Sequence, residues 1–145
     1  MKKPTKKRKG VFISQTEGKS CAAATALQAW LRDDMKLGDP WLAPEKIPVG
    51  AAWRKKLEKA LDEACCGILC LTADNLTSHW ISYEAGRLRK NGKIFPYVID
   101  SSVSLKNLPA PIDDLQAQRS DREGTEALVV EINKALDRSL RLDDF

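Results

Sequence analysis

The residues best suited to chemistry lie in segment 71–84, which reads Leu71-Thr72-Ala73-Asp74-Asn75-Leu76-Thr77-Ser78-His79-Trp80-Ile81-Ser82-Tyr83-Glu84. Trp80 and Glu84 are four apart, so on a helix they project from one side. Glu84 does not cap that helix: a capping box from Ser78 would need its carboxylate at position 81, which is Ile81. Two roles remain open to the residue type alone, a surface ion pair with Arg87 or a working carboxylate in a cleft. A second candidate is Thr16-Glu17-Gly18-Lys19-Ser20, between a strand and a helix, which has the ending of a phosphate-binding loop. A complete loop needs glycine five residues before Gly18, and Ile13 stands there, so the anion-cradling turn is missing. Asp100, after the apolar run 94–99, would imitate the magnesium-coordinating aspartate of such an enzyme.

His79 is the only histidine, and no Gly-x-Ser-x-Gly elbow accompanies it, so a Ser-His-Asp hydrolase is a poor reading. An exposed place in the first turn of its helix suits it better. The cysteines are Cys21, Cys65, Cys66 and Cys70. Strand alternation is expected to send Cys65, Cys66 and Cys70 to different faces, which argues for buried, reduced thiols and no metal site.

The elements that position these residues come from one chain of 145 residues, the length of an ordinary single domain. With 43% hydrophobic and 30% charged residues, the composition is that of a globular protein. No run approaches the ~20 apolar residues needed to span a bilayer, so a cytoplasmic, membrane-free protein is expected. The net charge of +4 is local: Lys2, Lys3, Lys6, Lys7, Arg8 and Lys9 supply six positive charges, and removing them from the 24 basic residues leaves 18 against 20 acidic. Residues 1–9 therefore read as a basic, disordered leader, and nucleic-acid binding by the folded surface is not expected. Residues 10–138 read as one domain and 139–145 as a polar tail or linker.

Residues 11–14 form a β-branched and aromatic run, the first strand. Ala23, Leu27, Trp30, Leu31 and Met35 then recur at helical spacing, with Gly38 as a stop. Residues 40–43 are a weak second strand and 44–50 a proline-containing loop. Trp53, Leu57, Ala60, Leu61 and Ala64 make the clearest apolar stripe, opposite Arg54, Lys55, Lys56, Glu58 and Lys59. Residues 66–72 read as a buried strand, Thr77 or Ser78 as the cap of a helix ending at Asn91-Gly92, and 94–99 as another buried strand. A weak strand is expected near 115–118, and Leu128, Val129, Ile132, Ala135 and Leu136 mark the last helix. Strands that alternate with helices and are apolar on both faces imply a parallel sheet with helices on each side. Ligands of such sheets bind beyond the carboxyl ends of the strands.

In this order and spacing the chain resembles the Toll/interleukin-1 receptor (TIR) domains over about residues 11–138. Val11-Phe12-Ile13-Ser14 is similar to the family's first strand. Ile47-Pro48-Val49-Gly50 and the stripe from Trp53 are similar to the loop after its second strand and the helix that follows. Ser78 to Glu84 resembles the Trp-x-x-x-Glu helix of TIR enzymes. Ile94-Phe95-Pro96 matches the fourth strand, and Leu108-Pro109 with Leu115-Gln116 the closing segment of bacterial members. The resemblance implies a flavodoxin-like three-layer α/β fold with about five parallel strands.

The same resemblance implies a prokaryotic effector that cleaves NAD+ at the nicotinamide–ribose bond, with NAD+ as substrate and no cofactor or metal. Glu84 matches the catalytic glutamate, and Trp80 the aromatic residue one turn before it. Ser14, Gln15 and Thr16 match positions lining the nucleotide pocket. Many bacterial members have histidine where this chain has Gln15. Gly50 and Trp53 belong to the loop region that reaches a neighbouring TIR domain, although Trp53 also fits the core stripe. Self-association, a sensor domain in the same or a partner chain, and a role in antiviral defence are the expected context. The rival is a TIR domain acting only as an interaction module.

Overall fold

The computed structural model describes residues 10–15, 19–36, 40–43, 50–91, 93–110 and 112–136. Thr16, the loop residues 44–49, the leader 1–9 and the tail 139–145 lie outside the described residues.

Five strands alternate with four helices: β1 (Val11–Ser14), α1 (Lys19–Ala29), β2 (Trp41–Leu42), α2 (Ala51–Glu63), β3 (Cys66–Leu71), α3 (His79–Asn91), β4 (Lys93–Val98), β5 (Gln118–Arg119) and α4 (Arg122–Ala135). A π-helical turn, Trp30–Asp34, prolongs α1. The sheet runs β2-β1-β3-β4-β5 with every neighbouring pair parallel. This is the flavodoxin-like fold with five parallel strands that the resemblance implied, and its strand order reverses direction between β1 and β3.

Strand alternation divides the core. Phe12, Leu69, Leu71, Ile94 and Val98 pack with Leu57, Leu61, Ile81, Ala85 and Leu88 of α2 and α3. Val11, Ile13, Cys66, Ile68, Cys70, Phe95 and Tyr97 pack on the opposite face with Ala24, Leu27, Leu128, Val129 and Ile132 of α1 and α4. The cysteine expectation needs correcting here. Cys66 and Cys70 are four apart and share a face, and Cys65, just before the strand, packs against the same cluster. Burial pushes the Cys70 thiol up to about 12, the negative field of Glu84 adding to it.

Local chemistry sets the helix starts. Gly50 begins α2 at φ +130°, a backbone angle that strains any L side chain. The Ser78 hydroxyl accepts from the N–H groups of Trp80 (3.1 Å) and Ile81 (3.4 Å), capping α3 as its sequence implies. Asp121 caps α4 through the Gly124 N–H at 2.7 Å. Two glycines allow close packing. A Cβ on Gly67 would lie 2.4 Å from Leu88 of α3, and one on Gly124 would lie 2.0 Å from the Arg119 carbonyl oxygen.

The fifth strand is displaced from 115–118. Ile112 is buried against the α2/α3 face, with Leu115 and Ala117 packed beside it, so pairing with β4 falls to Gln118 and Arg119. Among the described residues, no helix is long and apolar enough to cross a membrane.

Candidate active site

Ser14 ends β1 on the face that carries α3, in register with Leu69 of β3. Its hydroxyl donates a hydrogen bond to Oε1 of Glu84, on the second turn of α3. Both side chains are fully buried. The second carboxyl oxygen, Oε2, is buried without a hydrogen-bond partner. Burial pushes the carboxyl up to about 8, against the opposing pull of the Ser14 hydrogen bond. Near pH 7 the group is therefore mostly protonated.

The ion pair with Arg87 that the sequence left open does not form. Arg87 instead grips Asp62 of α2 through one guanidinium nitrogen, at 2.8 and 2.9 Å from the two carboxylate oxygens. A carboxyl that is buried, without a cationic partner and half unsatisfied is unfavourable for folding, and such groups cluster where chemistry is done.

Gln15, 5% exposed, follows at the strand end. Its amide nitrogen donates to the carbonyl of Ala43, just past β2, while its Oε1 is buried without a partner. On the other side of the sheet's reversal point, the Cys70 carbonyl accepts from Ser20 Oγ and Asn75 Nδ2, both at 2.9 Å. Asn75 Oδ1 in turn accepts from the Thr72 N–H at 2.8 Å. The turn between β3 and α3 is thus fixed by one amide side chain, a residue the sequence reading passed over. Its trace in the sequence was an Asn four residues after the strand, close enough for its side chain to bond back to the turn's own backbone.

Two features that suggested a nucleotide-triphosphate site take structural roles. Ser20 bonds the Cys70 carbonyl, and Asp100 accepts from the Ala73 N–H at 2.8 Å, tying the end of β4 to the β3–α3 turn. Lys19 opens α1, while Thr16, Glu17 and Gly18 lie outside the described residues. Among the described residues, no group of three or more His, Cys, Asp or Glu is placed to hold a metal ion.

Trp80 and Glu84 do not face the same space, as their spacing had suggested. Four residues advance a helix by about 400°, so Glu84 sits about 40° further round than Trp80. That rotation turns Glu84 toward the sheet with Ile81 and Ala85, whereas Trp80 stays at the rim, stacked on Tyr83 at 5.6 Å. Trp80, Tyr83 and His79 line a cavity of about 590 Å³ with Gly50, Trp53 and Arg54. Trp53, expected in the core, is half-buried. It stacks at 6.2 Å on Trp41, which stacks on Phe12 at 5.2 Å, so an aromatic column anchors it to the edge of the sheet. The structure thus brings Ser14, Gln15 and Glu84 to one end of the sheet, and Gly50, Trp53 and Trp80 to the adjoining cavity.

A family model described as TIR domain matches residues 11–139. No curated protein matches the sequence. Among solved structures, the fold is similar to that of a metazoan TIR-STING receptor from C. gigas in complex with 2',3'-cGAMP. The TM-score is 0.66 at 16% identity, over 92% of this chain and 40% of the receptor. The chain therefore spans less than half of that receptor's length. It is also similar to the RPS4 and RRS1 TIR domain heterodimer, with a TM-score of 0.60 at 15% identity over 90% of this chain and 97% of that one. At these identities the likeness to solved structures is one of fold.

Proposed function

The chain belongs to the TIR domain family, and on that footing we propose that it cleaves NAD+ at the nicotinamide–ribose bond, with Glu84 as the catalytic carboxylate. The observation that carries this reading is the buried, unpartnered Glu84 Oε2 at the sheet's reversal point.

The chemistry suits a lone carboxylate. Nicotinamide in NAD+ is already a cationic leaving group, so the glycosidic C–N bond breaks with its electron pair going to nitrogen, and no general acid is required. The ribose left behind is an oxocarbenium-like cation, and a fixed carboxylate in a water-poor site stabilises it. Water then adds to the anomeric carbon and loses a proton, or an adenine nitrogen of the same molecule adds and closes a ring. The incoming pyridinium also favours ionisation of Glu84, because a nearby cation stabilises the charged carboxyl form. Ser14 donates to Glu84 in either protonation state and holds its orientation.

Glu84 is fully buried in the isolated chain, so substrate reaches it only if the site opens. A self-association step that opens this end of the sheet fits this need. It also fits an effector that stays silent until triggered, as an antiviral defence role requires. Gly50, Trp53 and Trp80 would then contact the dinucleotide or a neighbouring copy.

The test incubates NAD+ with wild type and Glu84→Gln across a wide dilution series and measures free nicotinamide, with the second product identified by mass. Wild-type turnover that rises steeply with protein concentration and is lost in Glu84→Gln is the expected result. Equal turnover by the two proteins removes the assignment of Glu84. Absence of turnover at every concentration leaves a TIR interaction module.

A further inference from the structure

Two adjoining thiols lie where the strands begin, away from the strand ends at which Ser14 meets Glu84. Cys65 precedes β3 and Cys66 opens it, and their Sγ atoms are 3.9 Å apart. Neither is joined in a disulfide. Both side chains pack on the same cluster, although alternation inside a strand would have separated them. They differ in access: Cys65 is half-buried, whereas Cys66 is 0% exposed. They also differ in acidity. The hydrogen bond to Cys65, burial and the charge of Cys65, in that order, push the Cys66 thiol well up, so Cys65 ionises first. The neutral Cys65 thiol donates to the Gly10 carbonyl at 3.0 Å, the oxygen that also accepts the Cys65 N–H at 3.1 Å. A thiolate at Cys65 is repelled by that oxygen and drawn toward the Cys66 S–H.

We propose that Cys65 and Cys66 form a peroxide-responsive dithiol: hydrogen peroxide oxidises Cys65, and Cys66 then closes a disulfide across their shared peptide bond. The Cys65 thiolate attacks one peroxide oxygen, the O–O bond breaks and hydroxide leaves, giving a sulfenic acid. Cys66 Sγ attacks the Cys65 sulfur, the S–O bond breaks, and the hydroxyl departs as water with the Cys66 proton. In sum, two thiols lose two hydrogens and one peroxide is reduced to two waters. Cys66 never has to meet the oxidant, from which burial shields it. An uncharged sulfenic acid at Cys65 also removes the charge that held the Cys66 proton in place. The bond formed is strained, because adjacent Cα atoms stand about 3.8 Å apart, below the roughly 4.4–6.8 Å that disulfides usually span. It should therefore yield readily to a thiol reductant. Closure also takes the Cys65 sulfur from Gly10 at the first rung of the β1–β3 ladder, where Val11 pairs with Cys66. The oxidised chain should melt below the reduced one.

The test treats the full wild-type chain with hydrogen peroxide, blocks the remaining thiols, and reads peptide masses after digestion without reduction. The peptide holding residues 65 and 66 should lose two hydrogens, with no dimer formed, and reduced glutathione should restore them. Melting curves taken before digestion should show the drop and its reversal. The same mass loss should persist in Cys70→Ser. In Cys66→Ser the sulfenic acid has nothing to resolve it, so dimedone should trap it at Cys65. An unchanged mass, added oxygen without loss of hydrogens, a disulfide-linked dimer, or a bridge to Cys21 or Cys70 each overturns the proposal. The wild-type arm decides this by itself, whether or not the Cys66 variant folds.

Discussion

The Ser14 hydroxyl reaches the Glu84 carboxyl across 70 positions of sequence, joining the end of the first strand to the third helix inside the core. Among the described residues, this contact restrains the one acidic group that is buried without a cationic partner, and most of the site's expected behaviour follows from it.

Replacing Glu84 by glutamine should separate stability from activity. The folded carboxyl titrates near 8 against an ordinary 4.5, so the folded chain retains a proton that the unfolded chain loses between those values. The stability this group confers is fully present below pH 4.5 and declines as pH rises toward 8, by up to about 1.4 kcal/mol per pH unit. Glu84→Gln keeps the shape and cannot ionise. It should melt higher than wild type at pH 8, converge with it near pH 4.5, and lose at least ~100-fold in NAD+ cleavage. Melting curves across pH, paired with nicotinamide release, check both halves.

The pH–rate profile should report the same ionisation. If the carboxylate is the working form, kcat/KM rises about tenfold per unit below pH 8 and levels above it. The midpoint in kcat should lie lower, because the bound pyridinium cation favours the carboxylate. Ser14→Ala removes the hydrogen bond that pulls the Glu84 value down, so its kcat/KM midpoint should move above that of wild type. A profile flat from pH 6 to 9 would contradict the assignment.

Asn75 should tolerate neither alanine nor aspartate. Alanine leaves the buried Thr72 N–H without its acceptor and removes one of two donors to the Cys70 carbonyl, at about 1–3 kcal/mol. Aspartate restores the acceptor but sets an anionic oxygen against that carbonyl. Chemical denaturation should therefore rank Asn75→Asp no better than Asn75→Ala, whereas a merely exposed turn residue would accept either.

The two closely packed glycines should differ in cost. The Cβ of Gly124→Ala meets the Arg119 backbone carbonyl, which cannot move without disturbing β5. The Cβ of Gly67→Ala meets only the end of the Leu88 side chain, which can change rotamer. Overpacking of this kind costs about 1–3 kcal/mol, and the larger loss is expected at Gly124. Comparison of the two melting temperatures decides it.

Much of the layout was legible in the sequence because it depends on local periodicity. The stripe from Trp53 to Ala64, the Ser78 cap and the apolar runs of β3 and β4 each report their own environment within a few residues. The two-residue strand β5 was misplaced because the apolar residues before it pack against the α2/α3 face instead of pairing. Cys65 and Cys66 were assigned to opposite faces by an alternation rule that holds only inside a strand, and Cys65 lies just outside one.

What the sequence determined by itself was the order of elements and the parallel sheet they build, since residue type and spacing suffice for both; the glutamate worth testing came from the resemblance to TIR enzymes. Only the tertiary structure decided that Glu84 turns inward to Ser14 while Trp80 stays at the rim. It also decided that Arg87 goes to Asp62 and that Gln15 commits its donor to Ala43. Those choices depend on which distant backbone and side-chain atoms meet when the sheet closes, and on how much water is left around a carboxyl once they do. Neither quantity is carried by a residue's neighbours along the chain.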